Sequence, residues 1–258
     1  MIREKNELKA GRLSVRIYGS RLEMGEAAAH DVAEKIRELL EEQGFVNIIF
    51  AAAPSQSDFL SHLSEEQNIR WNKINAFHMD EYIGLDQASP ESFAFFLKEA
   101  IFDQVPFHEV HFLRGTAEDL DAECNRYSRL LSDFPVDIVC LGIGENGHLA
   151  FNDPHVADFA DPLAVKIVNL DRVSRQQQVH DDCFATLDDV PVSALTLTVP
   201  SLLKARFVYC MVPGSNKAQA VYHTLNSEVK ENYPSTVLRK HAHATLYLDE
   251  DSASKLNQ

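Results

Sequence analysis

Two groups of residues in this chain are placed to move protons. Asp80 and Glu81 are adjacent carboxylates in FHMDEYIG, directly after an apolar run. Consecutive side chains on an extended backbone point to opposite sides, so one can face a pocket while the other braces the structure. A solvated acidic turn is the plain alternative. If Asp80 meets an apolar wall built by Phe77 or Tyr82, desolvation raises its pKa and makes it a usable general base. His148 stands in VDIVCLGIGENGHLAFNDP, Val136 to Pro154, after Gly142, Gly144 and Gly147. Asp153, a short way on, is in position to accept a hydrogen bond from its ring and fix the tautomer, as a catalytic histidine requires; otherwise His148 simply closes a loop. Ser55, Ser57 and Lys217 form a third group, an anion site built from two helix N-termini, hydroxyls and one ammonium. Each is equally explained alone, as a helix cap or an exposed side chain.

The glycines also match G-x-G-x-x-G, the dinucleotide fingerprint, which requires a following helix and a second strand ending in an acidic residue. Ala164 to Leu170 followed by Asp171 supplies such a strand. The helix is missing, because Pro154 and Pro162, with Asp153, Asp158 and Asp161 among them, leave no apolar period of 3.6 residues long enough to cross a sheet. NAD and FAD are therefore not expected. No G-x-S-x-G elbow is present for a serine hydrolase, and the pair His241 and His243 lacks a third ligand of suitable spacing, so no metal is expected either.

The chain has 258 residues, 45% of them hydrophobic, with 10 glycines and 10 prolines. That is enough for a sizeable core and shows no sign of disorder or repeats. A net charge of −15 without any basic cluster argues against nucleic acid and anionic membranes. It also means that a phosphate must be held by local donors against the field of the whole protein. Cys124, Cys140, Cys183 and Cys210 are too scattered for a disulfide framework. The opening MIREKNELKAGRL lacks an apolar signal segment, and no 18-residue apolar stretch exists, so a soluble, cytoplasmic protein is expected.

The positioning elements follow from periodicity. Ser14 to Tyr18, Val46 to Ala53, Ile74 to Met79, Val110 to Leu113, Val136 onward, Ala194 to Val199, Phe207 to Val212 and Ala244 to Leu248 have strand patterns. Arg21 to Gln43, closed by Gly44, a short stretch from after Ser57 through Leu63, Pro90 to Phe102 capped by Ser89, Ala117 to Leu131 and Ser215 to Leu225 have helical ones. The alternation implies a single α/β domain over residues 1–258, with a mostly parallel sheet covered by helices on both faces. Ligands bind beyond the carboxyl ends of such strands, where the residues singled out above lie.

HMDEYIGL at 78–85, SPESFAFF at 89–96, LDAECNRY at 120–127, LGIGENGHLAFNDP at 141–154, VPVSALTLTVPSLLKA at 190–205 and PGSNKA at 213–218 resemble, in order, the motifs of glucosamine-6-phosphate deaminases. The related 6-phosphogluconolactonases share a G-H pair but lack the MDEY and FN-acid-P elements. The resemblance implies a three-layer αβα open sandwich of Rossmann-like topology, acting on a small phosphorylated amino sugar without cofactor or metal. It implies Asp80 as the base for the C2 proton, His148 as the ring-opening acid/base, and Asp153 and Asn146 as its supports. Ser55, Gln56, Ser57, Lys217, Glu81 and Gly147 would bind the sugar phosphate. Four departures stand out: Asp153 replaces a glutamate, Asn146 stands where some members have an aspartate and others an asparagine, His180 to Phe184 replaces the stretch with the phosphate-binding arginine, and Pro54-Ser55-Gln56-Ser57 replaces a T-G-G-T loop. Galactosamine 6-phosphate is the alternative substrate; a lactonase-like hydrolase and a non-catalytic sugar-phosphate sensor are the alternative functions. Assembly into a homo-oligomer is left open.

Overall fold

The computed structural model describes residues 4–256. In chain order the elements are β1 (Glu4–Ala10), β2 (Leu13–Tyr18), α1 (Arg21–Glu42), β3 (Val46–Phe50), α2 (Ser57–Glu65), β4 (Ile74–His78), β5 (Asp80–Tyr82), α3 (Phe93–Leu97), β6 (Glu109–His111), α4 (Leu120–Asp133), β7 (Ile138–Leu141), β8 (Val165–Asn169), α5 (Arg172–His180), β9 (Ser193–Leu197), α6 (Val199–Leu203), β10 (Phe207–Val212), α7 (Ala218–Asn226) and β11 (Ala244–Asp249).

Eight strands form one sheet in the order β1-β2-β11-β10-β7-β3-β4-β6. All neighbours are parallel except β1 and β2, which make an antiparallel pair. Because side chains alternate along a strand, the sheet divides the apolar core in two. Ile48 and Phe50 pack with Val32 and Ile36 of α1 and Phe59 of α2. Ile49 and Leu141 belong to a second cluster with Tyr127 of α4 and Val221 of α7. Both faces are thus covered by helices, as expected. Helix α1 starts where Ser20 accepts a hydrogen bond from the Glu23 N–H, and it buries Val32, Ile36, Leu39 and Leu40. It ends on an extended Gln43 whose N–H returns to Leu39 O, so the exposed Gly44 supplies no left-handed cap.

Four features depart from the sequence-based expectation. β1 is a polar edge strand whose only large apolar residue, Leu8, is exposed, so it carries no buried-strand pattern. β8 and β9 leave the parallel sheet and pair antiparallel with β5 in a small sheet of order β5-β9-β8. Local pattern cannot reveal such a choice of partner. Ser92, not Ser89, caps α3, because the Glu81 carboxylate accepts the N–H groups of Phe93 and Ala94 and so starts the helix there. The helix then widens into a π-helical turn, Lys98–Phe102. α5 was not expected at all; its buried residues are Ser174, Gln177 and Gln178, which give no apolar period. All four cysteines are free. Among the described residues no helix is long and apolar enough to cross a membrane.

Gly115 lets the loop after β6 lie directly against β5. A Cβ there would stand 1.9 Å from Tyr82 O, and the Gly115 carbonyl accepts the Gly84 N–H at 2.9 Å. Gly115→Ala is therefore expected to cost about 3 kcal/mol, since backbone must move to admit the methyl group. Gly44→Ala, where no atom lies within 4 Å, is expected to stay within about 0.5 kcal/mol of the parent. Urea denaturation of the two variants checks the contrast.

Candidate functional site

The carboxyl ends of β3, β4, β7 and β10 open on a common cleft. Strand β7 lies between β3 and β10, so the loops that follow these strands converge there. Ser55 and Gln56 enter after β3, Asp80 after β4, His148 after β7 and Lys217 after β10. Gln177 and Gln178 enter from α5.

Asp80 is paired with Thr196 across β5 and β9 and is 7% exposed. Its carboxylate makes no hydrogen bond to any described residue, which leaves it to the cleft. Burial, and then the neighbouring charge of Glu81, push its pKa well above the usual carboxylate range. The apolar lining is Met79, Phe93, Ile143 and Phe151; Phe77 and Tyr82, the walls expected from sequence, lie outside it. Glu81 is fully buried and points away, accepting from the N–H groups of Tyr82 (2.9 Å), Phe93 (3.2 Å) and Ala94 (2.9 Å). Burial pushes its pKa up to about 7, against the downward pull of those amides. Alternation along β5 has separated the pair, so Glu81 is structural and the ligand-binding role expected for it is corrected.

His148 is held by its Nδ1 side. Nδ1 lies 2.8 Å from Asn146 Oδ1, 2.8 Å from Ser174 Oγ and 3.2 Å from Asp153 Oδ1. The Asn146 oxygen can only accept, so it selects the tautomer with the proton on Nδ1. No described residue bonds to Nε2, which remains for a ligand in the cleft. Asn146 Nδ2 donates to Asp153 Oδ1 at 2.9 Å and to Asp171 Oδ2 at 3.1 Å. Ser174 donates to Asp153 Oδ1, and the Asp171 N–H donates to Asp153 Oδ2 at 3.0 Å. Burial alone would raise the Asp153 pKa, but the bonds from His148, Asn146 and the Asp171 amide hold it well below the usual range. The ring also lies flat against Gly144, where a Cβ would fall 2.1 Å from His148 Cε1.

Lys217, which also lines the cleft, is 3% exposed and forms no hydrogen bond or ion pair with any described residue. Burial lowers its pKa, while the charges of Asp181 and Glu145 oppose that shift. Gln56 donates through Nε2 to Met211 O and Ser55 Oγ, each at 3.1 Å, and its Oε1 has no partner among the described residues. Ser57 is exposed in the first turn of α2 and lines a separate groove with Phe95 and Phe96, so it does not join this group. Gly147, at φ +86°, shapes the turn before His148 and passes its carbonyl to the Ser235 N–H, outside the cleft lining. These two placements also correct the expectation. Sequence reading missed Asp171, Ser174, Gln177 and Gln178. Asp171 accepts from the Ser174 N–H at 2.8 Å as the N-cap of α5. An Asp followed three residues later by Ser was the available signal. Asp153, His155 and Asp171 also bring potential metal-ligating atoms close together, but the Asp153 oxygens are already occupied by N–H and O–H donors.

Glu81 generates a pH prediction. Its folded pKa of about 7 lies above its ordinary value of 4.5, so between these pH values the folded state retains a proton that the unfolded state has lost. Stability therefore falls as pH rises through that window and levels off above about 7. Glu81→Gln is expected to reduce the difference in melting temperature between pH 5 and pH 7.5, as read by circular dichroism.

A family model described as glucosamine-6-phosphate isomerases/6-phosphogluconolactonase matches residues 19–247. A glucosamine-6-phosphate deaminase of Streptococcus pneumoniae (strain 70585) is 32% identical over 224 residues, 86% of this chain and 93% of that protein. One of Bacillus cereus (strain B4264) is 37% identical over 183 residues, 71% of this chain and 68% of that protein. Among solved structures, a monomeric glucosamine-6-phosphate deaminase superposes with a TM-score of 0.84 at 28% identity, covering 93% of this chain and 98% of its own. A 6-phosphogluconolactonase from Thermotoga maritima shares the fold, with a TM-score of 0.73 at 20% identity over 91% of this chain and 98% of its own. With its strands, its cleft and these relatives in agreement over most of its length, the chain belongs to the glucosamine-6-phosphate isomerase/6-phosphogluconolactonase family.

Proposed function

We propose that this protein converts glucosamine 6-phosphate and water to fructose 6-phosphate and ammonia. The observation that carries this reading is a buried carboxylate, Asp80, with no hydrogen-bond partner among the described residues, in the same cleft as a histidine whose Nε2 bonds to none of them. Relatives bearing the name of that activity supply the substrate. An aldose–ketose shift needs one poised base, and ring opening needs a group that can both take and return a proton near neutrality.

In this reading His148 Nε2 takes the proton of the C1 hydroxyl and returns it to the ring oxygen as the C1–O bond of the ring breaks. Asp80 then removes the C2 proton while the C1 carbonyl oxygen takes a proton from the C2 ammonium of the substrate, giving an enolamine and a protonated Asp80. It returns the proton to C1, which leaves an imine at C2 that water hydrolyses to the ketone and ammonia. Nδ1 stays on Asn146, Ser174 and Asp153, so the imidazolium formed in the first step faces a carboxylate held ionised. Lys217 and Ser55 anchor the phosphate at the far end and orient the sugar. His148 and Asp80 carry the proton transfers of ring opening and of the C2-to-C1 shift, and chelation with EDTA is expected to leave the rate unchanged.

The deciding experiment measures ammonia and ketose phosphate released from glucosamine 6-phosphate and from its C4 epimer, galactosamine 6-phosphate, by the parent and Asp80→Asn. Turnover of the first sugar that is lost by at least about 100-fold in the variant is expected, the scale of a general base. Ammonia from the galactose epimer alone would change the substrate. No ammonia from either, with a 6-phosphogluconolactone hydrolysis that survives Asp80→Asn, would replace the reaction with a lactonase. Because Asp80 works deprotonated, the rate rises with pH through its pKa, and that rise is expected above the pH range of an ordinary carboxylate. Ser174→Ala is expected to lower kcat about tenfold with little change in KM, since it removes one hydrogen bond on the charged His148–Asp153 pair. Ser174→Thr, which keeps the hydroxyl, should recover most of that loss.

A further inference from the structure

We propose that Gln178 binds the anionic end of the ligand beside Lys217, as the neutral second donor of a subsite that contains one cation. The inference deepens, and rests on, the reading of the cleft as a site for a phosphorylated amino sugar. It begins with the character of α5, whose buried residues are Ser174, Gln177 and Gln178. A helix normally buries an apolar stripe, and buried polar side chains are normally hydrogen-bonded. Two of the three conform. Ser174 bonds to His148 and Asp153, and Gln177 accepts the Glu145 N–H at 2.8 Å and donates to Asp181 at 3.3 Å.

Gln178 does not conform. It is 7% exposed, it lines the cleft, and its side-chain amide has no hydrogen bond to any described residue. Lys217 is in the same condition at 3% exposure, with no described partner for its ammonium. Glu145 joins the two segments. Its N–H is bound by Gln177, its carboxylate lies 3.3 Å from His180 Nδ1, and the same carboxylate accepts from Asn216 Nδ2 at 3.1 Å, one residue before Lys217. The electrostatic influence of Asp181 on Lys217 likewise brings the end of α5 to the lysine. An ammonium has donors only, and a primary amide adds two more without adding charge. What satisfies both is a group of several acceptor oxygens, which is an oxyanion.

Inorganic phosphate is the probe, titrated calorimetrically into the parent protein, Gln178→Leu and Gln178→Glu at one ionic strength, with melting temperatures recorded alongside. The expected result is binding to the parent that weakens about tenfold in Gln178→Leu at an unchanged melting temperature, the effect of losing one hydrogen bond to a charged group. Gln178→Glu, which keeps the shape but repels an anion, should weaken binding further and answers the question if the leucine variant does not fold. Parent-like phosphate affinity in both variants, or no phosphate binding by the parent, would overturn the proposal. The two readings separate cleanly. If the parent releases no ammonia from glucosamine 6-phosphate but phosphate binding depends on Gln178, the substrate is wrong and this subsite stands; ammonia release with phosphate binding indifferent to Gln178 gives the converse.

Discussion

Much of this structure serves to keep one carboxylate buried without a partner. The Asp80 carboxylate lies in the interior with no hydrogen bond to any described residue, a condition that ordinarily costs free energy and shifts the group toward its neutral form. Its neighbour Glu81 is more deeply buried, yet three backbone N–H groups receive it. The same contacts start α3 and bring the Phe93 ring to the cleft. The strand pairing of Asp80 with Thr196 fixes which way each carboxylate points. A single-residue slip along β5 would exchange them, and the unpartnered group would then face α3 rather than the cleft.

His148 is treated in the opposite manner. Its Nδ1 side is enclosed by Asn146, Ser174 and Asp153, and Gly144 gives the ring room to lie against backbone. The shorter reach of an aspartate at 153 is met by the Ser174 hydroxyl, which lies between the carboxylate and the ring. A well-satisfied network of this kind fixes one orientation, because any rotation of the ring would abandon bonds that the interior cannot replace with water. The two proton-handling groups are thus prepared differently, Asp80 by deprivation and His148 by support.

Helix α5 contributes to the cleft at more than one point. Its first turn carries Ser174 to the histidine, and its next turn carries Gln177 and Gln178 to the lining of the cleft that Lys217 shares. Asp171 caps it while also receiving Asn146, so the position of the helix and the geometry of the imidazole depend on the same side chain. A polar face turned inward would be a poor way to stabilise a helix in an apolar core. Against a cleft it places donors where a ligand can use them.

The sequence by itself determined the parallel sheet and its helices, because runs such as Val46 to Phe50 and Ile138 to Leu141, buried along their length, and the apolar stripe of α1 are local patterns with local causes. It also determined that Asp80, His148, Asp153, Asn146, Gln56, Ser55 and Lys217 follow strand ends or precede helices, and therefore lie near one edge of the sheet. Tertiary structure decided what a local pattern does not contain. The pairing of β5 with β9 sent Glu81 inward to α3, and the exposed turn of α2 took Ser57 into another groove. Strands β8 and β9 left the main sheet because strand partners are chosen by long-range contacts. Helix α5, with Ser174, Gln177 and Gln178, was illegible because its buried face is polar, and a reading based on apolar period detects only faces that water would reject.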